Sequence, residues 1–370
     1  MENKVTPAHH NERQYLSSLA LIKDRGELSD NRTGINTISL FGDVNNTYVL
    51  TDNDKAIVPL LSTKFVKIES IVHELIWMLS GSSRIKYLLE NKVRIWDDWV
   101  IKGTEVFGPM LNHGDRLRLV RRTGKWEAME KFTASAKTED ELMNLQVQFM
   151  DENGVHTHEL VDGDLGPVYG VQWRHTKDLR LADDSDQAEN FHSRGFQQLL
   201  KTDQATVFGR VIDQIEQLEH NIRYNPNSRR LILIAWNTAR IDEMALPPCH
   251  TLAQWRVTNE GLLHCKLYQR SADWMIGVPY NIVFYSVLTH MLCHVFNLKA
   301  GNLYHSVGDA HIYENHLNGM RTQLNRAIIE DNCPTIGFSK GFDSILDIRA
   351  EDIQLSGYSC HPYISLPVAV

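Results

Sequence analysis

The stretch "ALPPCHTLAQWRVTNEGLLHCKLYQR", residues 245–270, decides the fold. From His250 to Arg270 it reads as two strands joined at Asn259-Glu260-Gly261, a polar turn of the kind that closes a hairpin. Two prolines stiffen the entry to the first strand, because each fixes φ and lacks an N–H. Cys249 stands directly behind them. A free cysteine is commonly a small buried hydrophobe. On a rigid turn it can instead be a nucleophile. An unperturbed thiol with a pKa of about 8.5 is only about 3% thiolate at neutral pH, so it needs a cation nearby. Arg270, on the paired strand, can supply that charge; a structural ion pair is its other reading.

Outward from the hairpin, strands mix with long helices without a regular βαβ alternation, which predicts an α+β sheet with helices on one side. Residues 10–25 read as helix, and "GINTISLFGD" (34–43) alternates like a strand. "KIESIVHELIWMLSG" (67–81) has helical apolar spacing and ends at Gly81. "TVFGRVIDQIEQLEHNI" (206–222) reads as an amphipathic helix, followed by the strand "RRLILIAW" (229–236). "NIVFYSVLTHMLCHVFNL" (281–298) is the most apolar window, but Asn281, Thr289, His290 and His294 interrupt it, so it reads as a core helix and not a membrane span. The expectation is one domain over 1–370 with two insertions: 101–162, with charges of both signs and hairpin-like pieces around "RTGK" (122–125) and "DENG" (151–154), and 176–205, polar and without a clear period.

With 370 residues, 42% hydrophobic and 23% charged, the chain can bury a full core. The N-terminus lacks the basic-then-apolar order of a secretory signal. Five cysteines, all between Cys249 and Cys360, do not make a disulfide framework and point to a reducing, cytoplasmic compartment. A formal net charge of −8 argues against general nucleic-acid or membrane attraction. The basic run Arg116, Arg118, Arg121, Arg122, Lys125 reads as a solvated face, because acidic residues 139–141 and 151–152 offset it within the same insertion.

Against that negative field, clustered loop arginines are informative. Arg32 lies in the turn "DNRTG" (30–34), Arg229 and Arg230 open a strand, and Arg270 ends one. Such sites suit a phosphate, whose oxygens accept forked guanidinium donors. Asn281 stands at a helix start, where it reads as an N-cap or as an amide that pairs with a pyrimidine edge. His290 and His294 have i, i+4 spacing but no accompanying glutamate, so no metal site is expected.

Taken together, "DNRTG", "HELIWMLSG", "IWDDW" (95–99), "GDLGPVYGVQWR" (163–174), "NPNSRRLILIAWN" (225–237), "ALPPCH", "LYQRSADWMIGVPYNI" (267–282), "GDAHIYENH" (308–316) and "LPVAV" (366–370) resemble the thymidylate synthase family, in its order. The resemblance implies a mixed sheet with packed helices, a sheet-to-sheet homodimer, and methylation of dUMP with 5,10-methylenetetrahydrofolate as cosubstrate and no metal. By the same resemblance Cys249 is the nucleophile that adds to C6 of uracil, and Glu74 moves protons through ordered water, with Tyr169 and His250 in support. Arg32, Arg270 and Ser271 match phosphate ligands, and Arg229 and Arg230 match the pair donated across the dimer. Asn281 matches the uracil reader, His311 and Tyr313 the ribose ligands, and Asp273 the pterin contact. Ile95, Trp96, Trp99 and Gly277 match the folate-pocket wall, Lys64 a residue near the glutamyl tail, and Val370 the closing terminal carboxylate.

Some positions depart from the family pattern. Arg256 stands on the strand after the nucleophile where the dimer face is expected, Phe65 and Lys67 replace residues near the folate site, and Trp274 follows Asp273 where a smaller side chain is common. Two other readings stand beside the synthase. A dUMP hydroxymethylase would let water in place of hydride capture the one-carbon unit; Asn281 argues against its cytosine-specific relative. A non-catalytic scaffold would be expected to lose Cys249, Glu74, Arg270 or Asn281, and all four are present.

Overall fold

The hairpin forms the middle of a seven-stranded sheet in the computed structural model, which describes residues 6–100, 105–107, 137, 158–160, 163–201 and 206–368. Strand His250–Val257 runs antiparallel to Leu262–Asp273, with Val257 opposite Leu263 and His250 opposite Gln269. On one side lies the short strand Ile232–Ile234. On the other, the fifteen-residue strand Lys299–Tyr313 pairs in parallel with Leu262–Asp273 and antiparallel with both Thr37–Phe41 and Asn45–Val49. The sheet is therefore mixed, and its one parallel pair needs a crossover.

Helix Gly277–Phe296 makes that crossover. Its residues are apolar around most of the circumference because the sheet covers one side and helix Ile68–Leu79 the other. Trp255 of the hairpin donates from Nε1 to Thr289 Oγ1 of this helix at 3.1 Å, which fixes the covered face as that of Ala253, Trp255, Leu263, Cys265 and Leu267. Gln254, Arg256, His264, Lys266 and Tyr268 point the other way and are open or half-buried. Helix Tyr169–Arg174 docks on Ile68–Leu79 through Gly170, where a Cβ would lie 2.3 Å from the Met78 carbonyl oxygen. Only a glycine permits that approach.

Several expectations need correction. Residues 206–222 are not one helix: Thr206–Ile212 is a strand and the helix is Gln214–Tyr224. Asp213 stops the one and starts the other, its side chain accepting from the N–H groups of Ile215 and Glu216 as an N-cap. The strand expected over 229–236 is confined to Ile232–Ile234. The segment 176–205, which shows no clear period in sequence, carries regular elements in its described part, 176–201, whose strands pair with the strand Thr206–Ile212. Strands Thr176–Ala182, Thr206–Ile212 and Gln197–Lys201 form a separate sheet, covered on one face by helix Ser185–Ser193. Phe208, Phe196 and Ala182 form its small core, while Leu179, Leu181, Leu199 and Val211 are exposed. Of 101–162, strand pairing of 105–107 with 158–160 is described; the basic run and the expected hairpins lie outside the described residues. His290 and His294 each donate from Nε2 to a backbone carbonyl, of Ile57 and of Lys340, and are held as structural side chains. Among the described residues no helix is long and apolar enough to cross a membrane.

Candidate active site

At the carboxyl ends of the two parallel strands the sheet, the start of helix Gly277–Phe296 and the C-terminal segment enclose a cavity of about 850 Å³. Every site residue named from the sequence lines it except Arg229, Arg230 and Val370. Arg229 and Arg230 are exposed and lie away from this cavity; Val370 is outside the described residues.

The prolines before Cys249 have a direct role in the geometry. Arg270 donates from Nε to the Pro248 carbonyl at 2.8 Å and from Nη2 to the Pro247 carbonyl at 2.9 Å. The backbone N–H of Arg270 also donates to the Cys249 carbonyl at 2.9 Å. These bonds lock the guanidinium with Nη2 4.0 Å from Cys249 Sγ, over the ring of Trp236. Burial pushes the thiol pKa up, and the charges of Arg270 and Arg32 pull against it. Tyr169 completes the cradle by accepting from the Cys249 N–H at 2.7 Å.

Glu74, from helix Ile68–Leu79, enters the cavity among aromatic rings. Trp96 donates from Nε1 to its Oε1 at 2.9 Å, and burial raises its pKa from 4.5 to about 7. A carboxyl near neutrality can both give and take a proton. Trp96 also packs against Trp77, Trp99 and Tyr169, tilted or edge-on at 50–68°, so that wall is apolar and closely packed.

Asn281 is not at the helix start but in its second turn, and its amide is already engaged. Gln269 donates to Asn281 Oδ1 at 2.9 Å, and Asn281 Nδ2 donates to His250 Nε2 at 3.1 Å. Burial holds His250 neutral, with its pKa pushed down to about 3. Asp273 accepts from the N–H groups of Met275 and Ile276, fixing the turn before the helix. Asp309, His311 and Tyr313 alternate along one strand and face the cavity together. His311 Nδ1 donates to Asp309 Oδ1 at 2.8 Å, leaving Nε2 for a ligand. Lys64 lines the cavity but is buried; its ammonium donates to the Met275 carbonyl, and burial lowers its pKa to about 8.

Sequence reasoning missed Gln269 and Asp309. Both lie inside quoted motifs, one residue before Arg270 and two before His311. It also missed Tyr363 and Leu366, which the chain's return to the cavity brings in. Trp274, the bulky departure, is fully buried between Tyr15 and His305, with ring centroids 5.7 and 6.3 Å away.

The arrangement joins a thiol beside a fixed guanidinium, a carboxyl poised near neutrality, an oriented amide and an aromatic wall. No cluster of side chains suited to a metal occurs among the described residues. The family profile of thymidylate synthase matches residues 13–370. A thymidylate synthase of Ascaris suum is 37% identical over 362 residues, covering 98% of each chain. A family match over nearly the whole chain and a relative this similar along its full length settle the family: the chain belongs to the thymidylate synthase family, one-carbon transferases of nucleotide biosynthesis.

Proposed function

We propose that the protein methylates dUMP to dTMP with 5,10-methylenetetrahydrofolate, through a covalent bond between Cys249 and the uracil ring. The observation that carries this reading is the convergence of Cys249, Arg270, Glu74 and Asn281 on one cavity. Its volume lies within the range of small-molecule sites. Arg270, Arg32 and Ser271 hold the nucleotide phosphate, and His311 and Tyr313 hold the ribose hydroxyl. Asn281 presents an acceptor and a donor to the N3–H and O4 of uracil. Cys249 Sγ adds to C6; the ring π-pair moves to C5 and O4, which makes C5 nucleophilic. Glu74, through water, supplies and removes protons at the ring, and Tyr169 and His250 orient the surrounding groups.

The residues present also suit the folate. Trp96, Trp99 and Ile95 offer an apolar wall, Gly277 leaves room at the helix start, and Asp273 offers an acceptor for ring N–H groups. When bound there, the folate supplies a one-carbon unit and then a hydride. The chain's part is to exclude water at that step, which the C-terminal segment through Val370 would do by closing over the ligands. The exposed Arg229 and Arg230 would reach the phosphate of a second subunit in a homodimer paired through the open sheet face.

Product analysis with dUMP and the reduced folate tests the assignment. A synthase yields dihydrofolate and a methylated nucleotide; tetrahydrofolate with a hydroxymethylated nucleotide would assign the hydroxymethylase. Cys249→Ser is expected to lower turnover about a thousandfold or more while nucleotide affinity holds. Near-full rates in that variant would refute the covalent step.

A further inference from the structure

The Asn281 amide has two ways to face a pyrimidine, because turning it over exchanges its oxygen and its nitrogen. With Oδ1 toward N3 and Nδ2 toward the exocyclic group it pairs with uracil; turned over, it pairs with cytosine. Its direction follows from a backbone carbonyl. Gln269 Nε2 lies 3.1 Å from the Ser271 carbonyl oxygen and 2.9 Å from Asn281 Oδ1. A carbonyl only accepts, so the Gln269 nitrogen donates to both, and Asn281 turns its oxygen toward it. Asn281 Nδ2 then donates to His250 Nε2 at 3.1 Å, and Nδ1 of that neutral ring donates to the Tyr285 hydroxyl at 3.3 Å.

The same logic fixes the far end of the relay. Gln269 Oε1, an acceptor, meets His305 Nε2 at 3.0 Å, so Nε2 carries that ring's proton. His305 is fully buried, and its Nδ1 has no hydrogen-bond partner among the described residues. The imidazole is steadied instead by Trp274, whose ring lies nearly parallel to it, at 14° and 6.3 Å between centroids. Tyr15 of helix Pro7–Arg25 stacks on the other side of Trp274, at 16° and 5.7 Å. Two hydrogen bonds tie that pair: Trp274 Nε1 donates to the Tyr15 carbonyl at 3.2 Å, and the Tyr15 hydroxyl donates to the Trp274 carbonyl at 2.7 Å. None of Tyr15, Trp274 and His305 lines the cavity.

We infer that His305, braced by Trp274, is a positioning residue for base selectivity: it holds the Gln269 amide and, through it, keeps the Asn281 amide in the direction that reads uracil. Turning Asn281 over would set its nitrogen against the Gln269 nitrogen. Gln269 cannot follow, because its oxygen would then face the Ser271 carbonyl and its nitrogen the His305 N–H. Each mismatch leaves a buried donor or acceptor unpaired, and the members of such a network reinforce one another. The tryptophan at 274, where a smaller side chain is common in the family, thereby acts at a distance on the base. This rests on the proposal that Asn281 contacts the base edge.

Equilibrium binding of dUMP and of dCMP to the full-length protein, without folate, reads the selectivity as a ratio of dissociation constants. A general loosening of the site weakens both nucleotides alike and leaves that ratio unchanged. His305→Phe keeps a flat ring against Trp274 and removes the donor; the preference for dUMP should fall about tenfold, the lower end of the worth of a paired base edge. His305→Gln supplies an amide N–H in place of Nε2 and should keep the preference within about twofold of wild type. Trp274→Leu leaves His305 without its stack and should lower the preference about threefold, the scale of one ring contact. Asn281→Ala removes the reader and should lower it at least as far as His305→Phe. In the wild type, nitrogen NMR of the His305 ring, assigned through its proximity to Trp274, should place the proton on Nε2.

A preference lost in Asn281→Ala but retained in His305→Phe would overturn the role of His305, as would equal losses in the Phe and Gln variants. A proton on Nδ1 in the wild type would overturn the direction of the relay without recourse to any variant. An unchanged preference in Trp274→Leu would overturn the brace. If Asn281→Ala itself leaves the preference intact, the reading of Asn281 as the base contact falls, and that failure is distinct from the others.

Discussion

Glu74 carries opposing demands. Its carboxyl is raised from 4.5 to about 7 by burial, so the folded protein binds that proton more tightly than the unfolded chain. Stability from this group is therefore greatest below about pH 4.5 and is lost as pH rises through about 7, by roughly 3 kcal/mol in all. Glu74→Gln keeps an acceptor for Trp96 and removes the charge. It should melt higher than the wild type at pH 8, melt similarly at pH 5, and lose turnover; equal melting at pH 8 would show that burial does not strain this carboxylate. Asn281→Asp should move the balance between uracil and cytosine nucleotides toward cytosine by about 10- to 100-fold, the worth of a paired base edge. Competition between dUMP and dCMP measures it, and an unchanged ratio would remove Asn281 from base reading. At this scale the sequence named most of the side chains that gather in the cavity, because their identities and motif neighbours persist in one dimension. It did not reveal that Arg270 is clamped by the Pro247 and Pro248 carbonyls, because that depends on strand register. Nor did it foresee that Lys64 is drawn inward to the Met275 carbonyl.

Elements with a single period were legible, and composite ones were not. Helices Pro7–Arg25, Ile68–Leu79 and Gly277–Phe296 and the central hairpin follow their apolar spacing. The reading of 206–222 as one helix failed because Val207, Val211 and Ile212 can satisfy either period over so short a run, and long-range pairing with Thr176–Ala182 decided the matter. The same pairing joins 176–201 and 206–212 into a unit with its own small core, none of whose described residues line the cavity. Phe208→Ala should therefore cost that unit about 3–5 kcal/mol. Limited proteolysis should cut within 183–201 while kcat stays within about twofold of wild type. A parallel loss of activity would show instead that the unit supports the cavity.

For the molecule as a whole, one sheet face is buried under helices and the other carries Gln254, Arg256, Lys266 and Tyr268 into the open. Arg256 and Lys266 both stand exposed on this face, so covering it with a second copy would require carboxylates or water to meet two cations. The proposed second copy would give a role to Arg229 and Arg230, which are exposed on a chain whose own cavity already holds Arg32 and Arg270. If each cavity is completed by its partner's Arg229 and Arg230, two inactive proteins can repair one another. Cys249→Ser lacks the nucleophile but keeps the donated arginines; the Arg229→Ala/Arg230→Ala protein has the reverse defect. In a heterodimer one of the two sites receives an intact thiol and intact arginines, and the other receives neither. Random reassortment of equal amounts should therefore restore about one in four of all sites. Activity should grow with the time allowed for subunit exchange and reach a plateau near that fraction. A mixture that stays inactive after exchange, verified by mass-tagged subunits, would place the two arginines in the service of their own chain or of none.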